Sequence, residues 1–128
     1  MILIADDNKG IRRMIRSLIE DLDPEIIECA DGQSAIESFE EHQPDLVLMD
    51  INMKPIDGLT ATRKILKRYP DARIAIITQH NDRSTKETSE AIGAKAFIGK
   101  DDLTQVRDLV RESTQKTGKA AERSQGSH

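Results

Sequence analysis

The chain alternates short, unbroken aliphatic runs with stretches whose apolar residues recur at helical spacing, and it does so five times. Unbroken aliphatic runs are typical of strands that are covered on both faces, and the other stretches are typical of amphipathic helices. The aliphatic runs lie at 2–5, 25–29, 45–49, 73–78 and 94–99. Strict alternation of strand and helix predicts right-handed crossovers, and therefore one parallel sheet with helices on both faces.

The helical stretches differ in how much apolar surface they can bury. The helix predicted over 82–92 is the most polar, with little besides Ala91 and Ile92 on an apolar face. Such a face predicts loose docking, and loosely docked elements are the ones that move. The other predicted helices are 8–22, a helix capped by Asp31 that buries Ala35, Ile36 and Phe39, 58–69, and a last helix marked by Leu103, Val106, Leu109 and Val110.

Residues 115–128 have no apolar period and are rich in small and polar residues. We predict a disordered tail or linker remnant there, which leaves 1–114 as one domain.

A net charge of −4 argues against a nucleic-acid binder, and the single Cys29 excludes an internal disulfide. No apolar run is long enough to span a membrane, and acidic residues interrupt the N-terminus where a signal peptide would need an apolar segment. We therefore expect a cytoplasmic protein.

Polar side chains follow four of the five predicted strands. Asp6 and Asp7 follow the first strand, Asp50 follows the third, Thr78 ends the fourth and Lys100 follows the fifth. Open α/β sheets place functional residues beyond the carboxyl ends of their strands. The flavodoxin-like, doubly wound strand order 2-1-3-4-5 would make the first and third strands neighbours, so that Asp7 and Asp50 meet.

Three carboxylates at one sheet edge need a compensating cation, because like charges a few ångströms apart cannot all stay ionised alone. Mg²⁺ suits such a site, since it takes one or two carboxylates, keeps several waters and leaves room for a phosphoryl oxygen. Lys100 adds a positive charge and Thr78 a hydroxyl, which together favour phosphoryl transfer. A carboxylate can itself be the nucleophile. Taken singly, each of these acidic residues is explained more simply as a loop residue or a helix cap.

These residues, in this order, make residues 1–114 resemble the receiver domain of bacterial two-component response regulators. Asp6 and Asp7 match the acidic pair of that family, and Asp50, in the segment LVLMDINMKPIDGL, matches its phosphate-accepting aspartate. The remaining matches are the turn glycine Gly58, the switch hydroxyl Thr78, the aromatic switch residue Phe97 and the lysine Lys100. The joint match in identity, order and spacing is specific, whereas an Asp-Asp pair alone would be weak.

The resemblance implies a signalling role rather than turnover of a separate substrate. Asp50 would accept the phosphoryl group of a phosphohistidine on a sensor histidine kinase or phosphotransfer protein. Asp7, Asp50 and the backbone carbonyl of Asn52 would bind Mg²⁺, and Asp6 would act through a metal-bound water. Lys100 would contact a phosphoryl oxygen.

The same resemblance implies a conformational switch. Thr78 would move toward the phosphoryl group and Phe97 would turn inward behind it. That change would alter the surface formed by the helix at 82–92, the strand at 94–99 and the last helix, which would control an output protein or domain. The first helix, with Lys9, Ile11, Met14 and Ile15, would include the kinase contacts.

Three positions depart from the family pattern. Lys54 stands where proline is usual, with Pro55 directly after it, and Gln79 stands where a small residue is usual. Asp101 stands where a proline in a cis peptide bond is common. A non-proline cis bond costs about 2.5–4 kcal/mol, so the resemblance does not carry that feature over.

Three other functions compete with the phospho-accepting switch. A phosphatase with an aspartyl-phosphate intermediate generally needs an acid two residues after the nucleophile, where this chain has Asn52. A pseudo-receiver that only binds partners is disfavoured because all five polar strand-end residues are present. The tail permits the last alternative, in which this is the receiver half of a longer helix-turn-helix transcription regulator.

Overall fold

The computed structural model describes residues 1–22, 24–79 and 82–113, which form one five-stranded parallel sheet. The strand order is β2-β1-β3-β4-β5, which confirms the predicted doubly wound topology. The strands are β1 (Ile2–Ala5), β2 (Ile26–Cys29), β3 (Leu46–Asp50), β4 (Ile74–Thr78) and β5 (Ala96–Gly99).

Each of the first four helices begins at a side chain that accepts a hydrogen bond from a backbone N–H of the first turn. These caps are Asn8, Asp31, Asp57 and Asp82. Such caps satisfy amides that have no partner within the helix. The helices are α1 (Lys9–Ile19), followed by a 3₁₀ turn (Glu20–Leu22), α2 (Gly32–His42), α3 (Gly58–Arg68), α4 (Arg83–Ile92) and α5 over residues 104–113.

The core has two aliphatic layers, one on each face of the sheet. Strand side chains alternate between the layers, so that Ile4 and Leu48 belong to one and Leu3 and Val47 to the other. Residues of α1 and α5 complete the first layer, and residues of α2 and α3 complete the second. Both faces of the sheet are therefore covered, which explains why the strands are continuous aliphatic runs.

The packing of α4 differs from the prediction. Ser89 is the buried residue of this helix, whereas Ala91 is exposed and Ile92 is half-buried. Residues two apart point about 200° away from each other around a helix, so burying Ser89 turns Ala91 toward solvent. The inward face of α4 thus carries a hydroxyl, and its C-terminal Gly93 lies against Leu66 of α3.

The predicted tail, 115–128, lies outside the described residues. No helix in the described part of the chain is long and apolar enough to cross a membrane. The one cis peptide bond among the described residues is Lys54–Pro55, so the peptide between Lys100 and Asp101 is trans.

Candidate metal centre

Strand register brings the polar strand-end residues together. Ala5 of β1 pairs with Met49 of β3, so the residues that follow them, Asp6 and Asp50, lie side by side. Across the sheet, the backbone N–H of Lys100 donates to the carbonyl oxygen of Thr78 at 2.8 Å. The carboxyl ends of β1, β3, β4 and β5 therefore meet at one edge, as the sequence predicts.

The carboxylates of Asp6, Asp7 and Asp50 form one cluster. One oxygen from each lies within 4.8 Å of the others, which is close enough for a single cation to contact all three. Asp6 and Asp50 are 1% and 2% exposed, whereas Asp7 is exposed. Two carboxylates at the bottom and one at the mouth make a site that is open on one side.

Lys100 is the cationic partner of the two buried acids. Its Nζ lies 2.9 Å from Oδ2 of Asp6 and 3.0 Å from Oδ1 of Asp50. Burial by itself lowers the pKa of Lys100, but its contacts with Asp6 and Asp50 outweigh this effect and raise it. Lys100 is therefore a fixed positive charge at the floor of the cluster.

Asp50 is held in an environment that disfavours its charge. Burial is the main cause that raises its pKa, and the charge of Asp6 adds to it, while Lys100 and the backbone N–H of Asn52 oppose the rise. Its Oδ2 is buried and receives no hydrogen bond of normal geometry within the described residues. A buried carboxylate oxygen without a partner is costly, so an additional cation fits this position. The all-oxygen donor set suits Mg²⁺.

Asp6 is fixed from several directions. Its backbone N–H donates to the carbonyl oxygen of Cys29 at 3.0 Å, and its Oδ1 accepts from the backbone N–H of Asn8 at 2.8 Å. The guanidinium of Arg12 donates to its backbone carbonyl oxygen. Sequence reasoning missed Arg12. The available signal was a charged side chain one turn after the helix cap, on the face that returns toward the loop.

The loop after Asp50 turns back tightly onto the strand it leaves. The backbone N–H groups of Met53 and Gly58 both donate to the carbonyl oxygen of Ile51, each at 2.9 Å. A Cβ atom on Gly58 would lie 1.8 Å from the carbonyl oxygen of Asp50. Only glycine allows α3 to begin this close to the site, which gives the turn glycine a steric reason.

The remaining residues that the sequence assigns to the site differ in burial. Thr78 is fully buried at the end of β4, and Phe97 is half-buried among the side chains of the α2–α3 layer. Asn52 is exposed directly after β3. Lys54 and Gln79, two of the positions that depart from the family pattern, are exposed in the loops beyond the strands.

The chain matches a known protein family, curated relatives and solved structures. The family model of the response regulator receiver domain matches residues 2–111. The chemotaxis protein CheY of Bacillus subtilis is 38% identical over 100 residues, covering 77% of this chain and 83% of that protein. The transcriptional regulatory protein DegU of Brevibacillus brevis is 33% identical over 103 residues, covering 78% of this chain and 43% of that protein.

A solved complex of CheX with CheY, BeF₃ and Mg²⁺ from Borrelia burgdorferi contains a similar fold. The TM-score is 0.77 at 28% sequence identity, with 88% of this chain and 86% of that chain covered. The lengths of the relatives vary, and this chain spans 43%, 51% and 37% of three curated relatives that it matches.

Proposed function

Because this chain belongs to the response regulator receiver domain family, we propose that it accepts a phosphoryl group on Asp50 in the presence of Mg²⁺. The observation that carries this proposal is the cluster of Asp6, Asp7 and Asp50 around Lys100 at one sheet edge. The donor is a phosphohistidine of a sensor histidine kinase or phosphotransfer protein.

Asp50 is the nucleophile in this reaction. A carboxylate oxygen of Asp50 forms a bond to phosphorus while the P–N bond of the phosphohistidine breaks, and the imidazole nitrogen keeps the electron pair. The product is an acyl phosphate on Asp50. Lys100, already 3.0 Å from Oδ1 of Asp50, contacts an oxygen of the transferred group and offsets its charge.

Asp7, Asp50 and the backbone carbonyl of Asn52 would hold the metal ion, and Asp6 would act on it through a water molecule. When bound, Mg²⁺ neutralises charge on the phosphoryl oxygens and on the three carboxylates. The fit of these residues to Mg²⁺ rests on the unpartnered Oδ2 of Asp50 and on the exposure of Asp7 at the mouth of the site. The Borrelia complex, whose CheY was solved with BeF₃ and Mg²⁺, supports the same ligand chemistry here.

Phosphorylation is read out by the surface of α4, β5 and α5. Thr78 contacts the phosphoryl group, and Phe97 moves further into the fold behind it. The polar inward face of α4, which buries only Ser89 among its residues, supports the view that this helix is the part that shifts. The partner that binds this surface is an output protein or domain.

Kinase contact is assigned to α1, which begins beside the cluster. Ile15 of this helix, expected near the contact surface, is instead 1% exposed and packs in the core. Met14 on this helix is 52% exposed, and it is the one large hydrophobic side chain exposed to that degree among the described residues. We place the chain in the cytoplasm, where a receiver domain would meet the kinase. The chain acts by accepting and slowly losing one phosphoryl group, without turnover of another substrate.

A second candidate is the receiver half of a longer helix-turn-helix transcription regulator. The observation that favours it is the match to DegU, of which this chain spans only 43%. The chain also matches part of a protein-glutamate methylesterase of Carboxydothermus hydrogenoformans, of which it spans 37%. Output domains other than a DNA-binding one are therefore equally compatible with this fold.

Intact mass after incubation with Mg²⁺ and a small phosphodonor tests the proposal. We expect one added phosphoryl group on the wild type and none on Asp50→Asn. Asp71→Asn, which changes an exposed acid remote from β1 and β3 in the chain, is the matched control and should be labelled like the wild type. A label that persists on Asp50→Asn contradicts the assignment, and repeated turnover of the donor at enzymic rates would favour a phosphatase.

A further inference from the structure

The side chain of Arg12 links α1, β2 and the backbone of the acidic pair. Its Nη1 donates to the carbonyl oxygen of Asp6 at 2.5 Å, and its Nε donates to Oε1 of Glu28 at 3.0 Å. Arg16, one turn later, donates to Oε2 of the same Glu28 at 2.8 Å. The Arg12 side chain is 15% exposed, so this guanidinium is largely enclosed.

The bond from Arg12 constrains the peptide that joins Asp6 to Asp7. The N–H and the carboxylate of Asp6 have partners elsewhere, whereas its carbonyl oxygen is held by Arg12. No hydrogen bond or ion pair within the described residues holds the carboxylate of Asp7 itself. The backbone of Asp7 is therefore constrained through the peptide that precedes it, and the bond from Arg12 holds the carbonyl oxygen of that peptide.

We infer that Arg12 is a positioning residue for the metal ion: by clamping the Asp6 carbonyl oxygen, with Glu28 holding its guanidinium, it aims Asp7 at the ion shared with Asp50. This inference rests on the proposed function. Groups behind metal ligands that fix their direction commonly raise metal affinity. A single guanidinium can span the carbonyl and the carboxylate because its N–H groups form a rigid fork.

Simple electrostatics predicts the opposite effect, which makes the inference testable by sign. A positive charge near a cation site repels the cation, so removing the charge of Arg12 should tighten Mg²⁺ binding if charge were its only influence. Loss of positioning should weaken Mg²⁺ binding. The two effects on Mg²⁺ affinity have opposite signs, so the measured change shows which of them dominates.

The experiment measures Mg²⁺ affinity of the unphosphorylated protein by titration calorimetry. We expect Arg12→Ala to weaken binding by about tenfold, the lower end for residues that support a metal ligand. Arg16→Ala is the matched control, because it removes the other partner of Glu28 without touching Asp6, and it should bind Mg²⁺ like the wild type. Unchanged or tighter binding by Arg12→Ala overturns the inference, as does an equal loss in Arg16→Ala.

A second readout separates positioning from general damage. The Mg²⁺ concentration that gives half-maximal phosphorylation should rise in Arg12→Ala, while the rate at saturating Mg²⁺ stays at the wild-type value. A fall in the saturated rate with an unchanged half-maximal concentration overturns the inference. If Arg12→Ala does not fold, Arg12→Lys serves instead, since one ammonium cannot span both partners, and wild-type Mg²⁺ affinity in that variant overturns it.

The two proposals fail in different ways. A wild-type protein that neither binds Mg²⁺ nor gains a phosphoryl group refutes the proposed function. A wild type that does both, together with an Arg12→Ala variant of unchanged Mg²⁺ affinity, refutes only the role of Arg12.

Discussion

At the scale of the residue, the candidate site depends on atoms that pass very close to one another. The Cα of Gly58 lies so near the backbone of Asp50 that a Cβ atom there would meet the Asp50 carbonyl oxygen at 1.8 Å and its carbonyl carbon at 2.7 Å. Both obstacles are backbone atoms, which cannot rotate away as the end of a side chain can. The start of α3 is thereby held against the strand that carries the proposed nucleophile.

We predict that Gly58→Ala lowers the free energy of unfolding by about 1–3 kcal/mol, because the added methyl group forces the loop away from β3. Urea denaturation measures this change. Gly10→Ala is the control, since its Cβ would meet only the Asn8 side chain at 3.1 Å, and it should have a much smaller effect. Equal stability of the two variants would contradict the steric argument.

At the scale of the element, a charged clamp ties α5 to the end of α1. Arg107 on α5 donates to both carboxylate oxygens of Asp21, at 2.6 and 2.8 Å, and to the carbonyl oxygen of Leu18 at 3.0 Å. The carbonyl groups at a helix end lack partners within the helix, so this arginine satisfies one of them. The helix assigned to kinase contact and a helix of the proposed output surface are thus directly joined.

The clamp predicts a pH dependence of stability. The hydrogen bond from Arg107 holds the pKa of Asp21 below 3.8, its ordinary value, in the folded protein. Because the pKa of Asp21 is lower in the folded than in the unfolded protein, the ionised carboxylate stabilises the fold at a pH above the unfolded-state pKa. This stabilisation is lost as the pH falls through the folded-state pKa and the carboxylate becomes protonated. Asp21→Asn should therefore lower the melting temperature at pH 7, and the difference from the wild type should shrink as the pH falls below 3.8.

Thermal unfolding across this pH range measures the effect. Asp71→Asn, an exposed acid for which the described residues show no ion pair, is the comparison and should track the wild type throughout. A difference between Asp21→Asn and the wild type that is constant from pH 7 downward would show that the clamp does not act through the charge of Asp21.

At the scale of the whole molecule, the metal centre joins segments that are far apart in the chain. The acidic pair follows β1, Asp50 ends β3 and Lys100 follows β5, so the cluster exists only when the sheet is assembled. Three carboxylates face one lysine there, which leaves the folded state with uncompensated negative charge at one edge. A cation that binds this edge should therefore stabilise the fold as a whole.

We predict that Mg²⁺ raises the melting temperature of the wild type, since a ligand that binds only the folded state adds about 2.7 kcal/mol at one hundred times its dissociation constant. Asp7→Ala and Asp50→Asn should lose most of this increment, and Asp71→Ala should keep it. Calorimetry with and without Mg²⁺, at constant ionic strength, measures it. An undiminished increment in Asp7→Ala would exclude Asp7 as a ligand.

Patterns within short segments predicted most of the fold. The period of the apolar residues located each of the five strands within about two residues and the ends of α1, α3 and α4 within about three. The cap at Asp31 lies where its sequence predicts, because periodicity and capping are local properties of the chain. The flavodoxin-like strand order is the one that makes β1 and β3 neighbours and so lets Asp7 and Asp50 meet. The sequence also identified Asp6, Asp7, Asp50 and Lys100, which form the cluster among the described residues.

Only the tertiary structure decided which groups are buried and which partners they find. The inward turn of Ser89 on α4, the exposure of Asp7 beside the buried Asp6, and the bond from Arg12 to the Asp6 carbonyl all depend on how separate segments pack. A sequence pattern reports the face of an element, whereas a contact depends on the rotation and distance between two elements. The sequence by itself therefore determined the elements and their chemistry, and packing across the sheet decided the geometry.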